Sequence, residues 1–301
     1  MPTFNQMAEE VSRKMAGFTY RQDRQTHLMS ALTSSALSVS VSSAENISSG
    51  IIQIDDELLY VDSYNRNTGV LTIPPYGRGY NGTVAAPHAV GAKVVISPTY
   101  PNADIKNAIN ETIQSIFPDI YVPRVHTFTF TPAKSTYALP ADAISVLSVS
   151  YQVIGPSKEW VPIRSYRVDN MANIDSFESS TSITLYSGVQ AGRTVQVFYG
   201  GEPYTLDGSN DDFASTTGLP ESCKDVIIYG AAYRLSSFID PGHLSYSTAE
   251  ADAQSQATLS SRSFAAGANA SKYLYAIYQQ RLQEEARKLD TRNPVRVHYS
   301  R

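Results

Sequence analysis

The acidic run Asp55-Asp56-Glu57 and the pair Asp211-Asp212 come closest, by residue type and spacing, to general acid–base work or cation binding. A working carboxylate pair needs both groups on one face, in surroundings that push their affinities for a proton apart. Adjacent residues of a strand point to opposite faces, so these runs read as solvated turns and strand ends. The histidines, His27, His88, His126, His243 and His298, are spread over separate segments, with no His-x-x-x-His or Glu-x-x-His pair on one helix face. Cys223 is the sole cysteine, which excludes an intrachain disulfide and a Cys-rich metal site. Its flanks read as the first turns of a helix, where a small core or interface residue is expected. The sequence therefore offers no catalytic residue, no cofactor-binding residue and no metal ligand, and no cofactor is expected.

Gly77-x-Gly79-x-x-Gly82 spells the dinucleotide fingerprint, but that fingerprint requires a following helix whose N-terminus receives the pyrophosphate. Pro87 and Gly91 interrupt any such helix. The stretch Arg78-Gly-Tyr-Asn-Gly-Thr83 reads instead as a turn, with Asn81-Gly82 at positive φ. No Gly-rich loop ends in Gly-Lys-Ser/Thr, and no Gly-x-Ser-x-Gly elbow is present.

Composition narrows the field further. A chain of 301 residues is long enough for two or three packed units, since cores usually divide into domains of roughly 100 to 150 residues. Hydrophobic residues make up 42% and charged residues 17%, and the formal net charge of -4 argues against duplex binding as the main activity. No run approaches the ~20 apolar residues of a membrane span, so a soluble protein made in the cytoplasm, without a membrane partner, is expected.

The elements alternate between two periods. Phe4, Met7, Val11 and Met15 form one apolar helix stripe. From about residue 36 the period becomes two, through short runs that end near residue 97. A helix then carries Ile105, Ala108, Ile109, Ile113, Ile116 and Phe117 on one face, and Pro118 stops it. Strands are expected at 125–130, 137–139, 144–153, 160–163, 183–186 and 194–199. A third helix opens near Leu219 and ends at Asp240-Pro241-Gly242. Residues 243–267 read as weakly helical or connecting, and a fourth helix occupies roughly 268–290, with Glu284 and Lys288 as an i,i+4 pair.

The fold class is thus α+β. A discontinuous helical core of four helices, from residues 1–35, 98–122 and 213–301, holds two inserted all-β modules. The first, 36–97, is small and β-barrel-like; the second, 123–212, is β-sandwich-like. The C-terminal segment alternates Val295, Val297 and Tyr299 with Arg296, His298 and Ser300, a pattern able to add as an edge strand to a partner sheet. Tyr229, Tyr233, Tyr273, Tyr275 and Tyr278 on the last two helices exceed what one buried face needs, and are candidates for a subunit interface.

Three stretches carry a family resemblance. The run Ile52-Gln-Ile-Asp-Asp-Glu-Leu-Leu-Tyr60, with Gly69-Val-Leu-Thr-Ile73 and Arg78-Gly-Tyr-Asn-Gly-Thr83, resembles a β-module of structural proteins in tailed bacteriophages. The helix starting Leu219-Pro-Glu-Ser-Cys-Lys-Asp, with Tyr273-Leu-Tyr-Ala-Ile-Tyr, resembles the C-terminal helix pair of phage head-to-tail connector, or adaptor, proteins. Tyr137-Ala-Leu-Pro-Ala-Asp and the strands after it look like their inserted β-domain.

The resemblance implies a homo-oligomeric, dodecameric ring at the virion neck. Such a ring is bound to the portal protein and to tail, stopper or tail-tube proteins, and lines a channel through which genomic DNA passes without sequence-specific binding. It implies no catalysis. It assigns portal binding to the tail, through Arg292, Val295, Arg296, Val297, Tyr299 and Arg301. A minor tail or baseplate structural protein is the alternative, because the first β-module also occurs in such proteins.

Overall fold

In a computed structural model, residues 2–16, 23–43, 45, 47–155, 158–186, 188–244 and 260–293 are described, with side chains of 237–244 and 260–270 left aside. The chain divides into two compact units, one of residues 2–111 with 227–277, the other of 112–226 with 278–301. The division falls within three of the helices, and the mixed architecture of helices and antiparallel sheets is α+β, as expected.

In the first unit, helix α1 (Phe4–Ala16) buries Phe4, Met7, Ala8, Val11 and Met15, the stripe its spacing predicts plus one alanine. Among the described residues, the β-module that follows contains seven strands. Strands β1 (Arg24–His27), β3 (Gly50–Ile54), β4 (Glu57–Val61) and β7 (Lys93–Ile96) form one antiparallel sheet in the order β1-β7-β3-β4. Strands β2 (Ser38–Ser40), β5 (Ser63–Asn65) and β6 (Val70–Thr72) form a second sheet, ordered β2-β6-β5. One core serves both sheets, with Val39 and Leu71 from the smaller and Ile52, Ile54, Leu59, Val61, Val94 and Ile96 from the larger. Strand β1 lies ahead of residue 36, so the module takes in residues assigned by sequence to the helical segment. Arg-Gln-Thr-His carries no apolar alternation, and its pairing with Lys93–Ile96 makes it a strand.

Helix α2 (Asn102–Ser115) follows at once. Its first residue is tied to the β3–β4 hairpin: the Asn102 backbone N–H donates to Gln53 Oε1 at 3.0 Å, and the Asn102 amide donates to the Asp55 carbonyl at 2.8 Å. Lys106 one turn later pairs with Asp56 at 2.6 Å.

The second unit holds the other β-domain. Strands β8 (Val122–Thr129), β10 (Ser145–Gln152), β11 (Trp160–Pro162) and β14 (Thr194–Gly201) form a sheet ordered β11-β10-β14-β8. Strands β9 (Thr136–Ala138), β12 (Tyr166–Asp169) and β13 (Ser182–Leu185) form a sheet ordered β12-β13-β9. Tyr137, Leu139, Ile183 and Leu185 pack with Val149, Val195, Val197 and Tyr199 in a shared core. All eight residues of β8 pair with β14, from Val122 opposite Gly201 to Thr129 opposite Thr194. Gly200 is required there, because a Cβ would lie 2.7 Å from the ring of Tyr121.

A short helix α3 (Phe213–Thr217), capped by Asp212, leads to α4 (Lys224–Leu244) and α5 (Ser260–Arg292). Helix α4 runs through Pro241-Gly242, where the sequence places its end. Pro241 lacks the N–H for one helix bond and crowds the carbonyl four residues back, but it lies within a turn of the helix end at Leu244. Helix α5 starts earlier than residue 268, in keeping with the helix propensity of Ala265, Ala266, Ala268 and Ala270. Five α-helices, one of them a short turn of helix, are therefore present among the described residues, where four are expected. None of the described helices is long and apolar enough to cross a membrane.

Candidate functional site

The acidic run and the Gly-rich turn prove to be two halves of one buried cluster in the first β-module. Glu57 opens β4, directly after a turn in which Asp55 takes φ 52. Its side chain is fully enclosed. Arg78 meets it side-on, with Nε donating to Oε1 at 2.7 Å and Nη2 to Oε2 at 2.9 Å. Backbone N–H groups of Gly79 and Ala86 donate to the same carboxylate, each at 3.0 Å. His88 completes the set, with Nε2 at 2.8 Å from Glu57 Oε2 and Nδ1 at 2.7 Å from Asp55 Oδ2. Both His88 contacts are hydrogen bonds only when each ring nitrogen carries a proton.

The remaining donors of Arg78 hold the chain around the cluster. Nη1 donates to the carbonyls of Thr33 at 2.6 Å and Ala36 at 2.9 Å, and Nη2 to that of Ala86 at 2.9 Å. Every N–H of the guanidinium is therefore used. Burial pushes the Glu57 carboxyl up, but the bonds from Arg78, Ala86, His88 and Gly79 outweigh it and hold the group down at about 2. An anion already accepting five hydrogen bonds has no lone pair for a substrate and no proton to give. The expectation of a solvated strand end fails for Glu57, because the compensating cation is far away in sequence. It holds for Asp55, whose side chain is 60% exposed.

The glycines belong to the same construction. Gly79 has φ 58 and Gly82 has φ 80, with Asn81 at φ 53 between them. A Cβ on Gly79 would lie 2.7 Å from the Thr83 carbonyl oxygen. Only a three-residue 3-10 turn, Tyr80–Gly82, follows, so the stretch is a turn and not a dinucleotide loop. Tyr60 packs against Tyr76 and Tyr80 over it, with ring centroids 6.4 and 5.5 Å apart.

A polar cleft of about 420 Å³ lies beside the cluster, lined by Glu9 and Arg13 of α1, Asp55 and Asp56 of the hairpin, and Lys93 of β7. Lys106 already pairs with Asp56, and His88 with Asp55. Among the described residues no group of three or more His, Cys, Asp or Glu side chains could hold a metal ion.

In the second unit, Glu285 of α5 is buried and accepts from Ser222 Oγ and from Lys288 Nζ, each at 2.6 Å. Lys288 thus pairs three residues back rather than with Glu284, which takes Arg281 at 3.0 Å instead. Cys223 lies beside this pin, with Sγ 4.0 Å from Glu285 Oε2. Burial, then the Glu285 charge, pushes its thiol up to about 12, in keeping with an inert core residue. Neither the buried Glu285 nor the Arg78 clamp was singled out by sequence; an Arg flanked by two glycines, downstream of an Asp-Glu strand start, was the one available signal.

The five tyrosines separate. Tyr278 is buried. The Tyr229 hydroxyl is 3.2 Å from Lys14 Nζ, which also lies 4.9 Å from its ring centroid. Tyr233 packs on Tyr275 at 4.9 Å. Tyr273 and Tyr275 remain 60% and 45% exposed. Arg292 ends α5 and is exposed, while Val295, Arg296, Val297, Tyr299 and Arg301 lie outside the described residues.

The family model described as "SU10 adaptor protein" matches residues 88–298, which is more than half of the chain. No curated protein matches. The chain belongs to the SU10 adaptor protein family and is a structural adaptor of a bacteriophage. The match begins at His88, so most of the first β-module precedes it.

Proposed function

We propose that this SU10-family adaptor is a head-to-tail connector. Copies of the chain form a dodecameric ring between portal and tail and line the channel for the DNA. The family match over residues 88–298 carries this reading, since it spans the second β-domain and both long C-terminal helices. A net charge of -4 suits a channel wall that lets DNA slide past without gripping it. Tyr273 and Tyr275, half-exposed on a helix otherwise rich in charge, are amphipathic surfaces of the kind that subunit contacts use. Tyr229 and Tyr233 of α4 and Tyr278 of α5 are the other residues proposed for this interface. The adaptor works by geometry and multivalent contact, with no reaction to catalyse.

Portal binding falls to Arg292 and to the tail, through Val295, Arg296, Val297, Tyr299 and Arg301. Mixing the chain with the portal of the same phage should give a ring complex resolved by native mass spectrometry, and deleting residues 292–301 should weaken it. Undiminished binding by the truncated chain would remove the tail from the contact. In the second reading, a minor tail or baseplate protein, the chain binds no portal at all.

A further inference from the structure

Strand β8 forms one edge of its sheet, and at eight residues it is the longest edge strand among the described residues. The Phe130 N–H donates to the Arg193 carbonyl at 2.8 Å, which fixes the alternation along the strand. Arg124, His126 and Phe128 turn their backbone groups toward β14. Val125, Thr127 and Thr129 turn theirs away, and among the described residues no backbone partner meets them. Their side chains are exposed and uncharged. An open, uncharged edge of this kind invites pairing with another strand.

The open stretch has closed ends. Pro123, the outward position before it, has no N–H to offer. Thr131, the outward position after it, gives its N–H to the Tyr137 hydroxyl at 2.8 Å, and its carbonyl accepts from the Lys134 N–H at 3.0 Å. The pattern is therefore symmetric about Thr127, and a second β8 laid antiparallel across that centre matches it. Val125 then faces the partner's Thr129 and Thr127 faces the partner's Thr127, each pair exchanging both of its N–H···O bonds. Pro123 falls opposite the partner's Thr131, so the positions without a free donor meet each other. Side chains agree with this register. On the exposed face, β-branched Val and Thr become cross-strand neighbours. On the other face, Arg124 falls opposite the partner's Phe130 and His126 opposite the partner's Phe128, so no charge faces a like charge. The opposite sheet edge, β11, offers no such match, because it has three residues and Pro162 takes one of its outward positions.

We propose that the β8 edge is a self-pairing surface, through which two copies of the chain join antiparallel about a two-fold axis at Thr127. The two four-stranded sheets then form one continuous sheet, and each copy covers the open edge of the other. This contact goes beyond the connector reading and does not rest on it. A two-fold pair closes on itself, whereas neighbours in a ring meet head to tail, so the pair is a state of the chain outside the ring.

Sedimentation of the isolated full chain over a concentration series tests this without portal. A reversible monomer–dimer equilibrium is expected, and Thr127→Pro should raise its Kd by about tenfold or more, since the central donor of each copy is lost. The fold should accept this proline, because the Thr127 N–H is not bonded to β14. Thr127→Lys, which sets two like charges across the axis, should weaken the dimer as well. Register is read by crosslinking under mild oxidation. Val125→Cys and Thr129→Cys chains should crosslink when mixed, and neither should crosslink with its own kind. A native chain still monomeric at about 100 μM, undiminished pairing in both Thr127 variants, or crosslinks within one variant but not in the mixture overturns the proposal. Slow amide exchange at Val125, Thr127 and Thr129 in a monomer would hand the edge to a segment of the same chain, and also overturns it. Portal binding is scored separately, so failure of the dimer and failure of the connector reading are distinguishable.

Discussion

Arg78 and Glu57 meet through two charge-assisted hydrogen bonds of 2.7 and 2.9 Å, with the carboxylate wholly enclosed. The pair joins the start of β4 to the turn after β6 and, through the Thr33, Ala36 and Ala86 carbonyls, to both flanking segments. Bidentate geometry needs a guanidinium, so lysine is no substitute. We predict that Arg78→Ala destabilises the chain by roughly 3–5 kcal/mol, because it strands a buried anion. Arg78→Lys should recover only part of this. Urea unfolding of the purified variants measures both; a loss below about 1 kcal/mol for Arg78→Ala would show that the cluster is not holding the module together.

The same pair sets an acid limit. Glu57 is held at about 2 in the folded chain, below its ordinary value of 4.5. A depressed folded pKa contributes stability above the unfolded value, and that stability is lost as pH falls through the folded one. Unfolding free energy should therefore decline between pH 4.5 and 2. Glu57→Gln should start lower and show a flatter profile across that window. A parallel decline in both proteins would place the acid sensitivity elsewhere.

Gly79 and Gly82 differ in a way that a single substitution reads. Both have positive φ, but only at Gly79 does a Cβ meet backbone, 2.7 Å from the Thr83 carbonyl oxygen. Gly82→Ala should cost about 1 kcal/mol from backbone strain alone. Gly79→Ala should cost more, roughly 2–3 kcal/mol, because the turn that carries Arg78 must shift. Thermal melts of the two variants side by side decide it; equal costs would mean that the loop relaxes freely.

Cys223 gives a chemical check on the second unit. With its thiol buried and pushed up to about 12, it should not react with a thiol reagent at neutral pH in the folded chain. One thiol per chain should appear in denaturant. Glu285→Gln removes the charge that contributes to this shift, so a faster reaction than in the native chain is expected. Rapid labelling of the folded native protein would contradict the packing around α5.

Much of the fold is legible in the sequence where apolar periodicity is strong. Phe4, Met7, Val11 and Met15 identify α1, and Ile105, Ile109 and Ile113 identify α2, because one buried stripe dictates a 3.6 period. Arg24–His27 escapes, since Arg-Gln-Thr-His shows no apolar alternation and is a strand through its partner; Tyr166–Asp169 alternates Tyr166 and Val168 with charged residues, but over only four residues, too short a run to stand out. The clamp escapes for another reason. Glu57 reads as solvated from its neighbours, and only tertiary pairing with Arg78 makes its burial tolerable. Glu285 is hidden likewise among the charges of α5, its partner Ser222 lying at the entrance to α4.

As a head-to-tail connector, this adaptor would sit at the neck of the particle. Averaged electron microscopy of virions carrying a tagged copy of the chain measures that directly. The connector reading predicts tag density in a ring immediately below the portal. Tag density confined to the distal tail would contradict it.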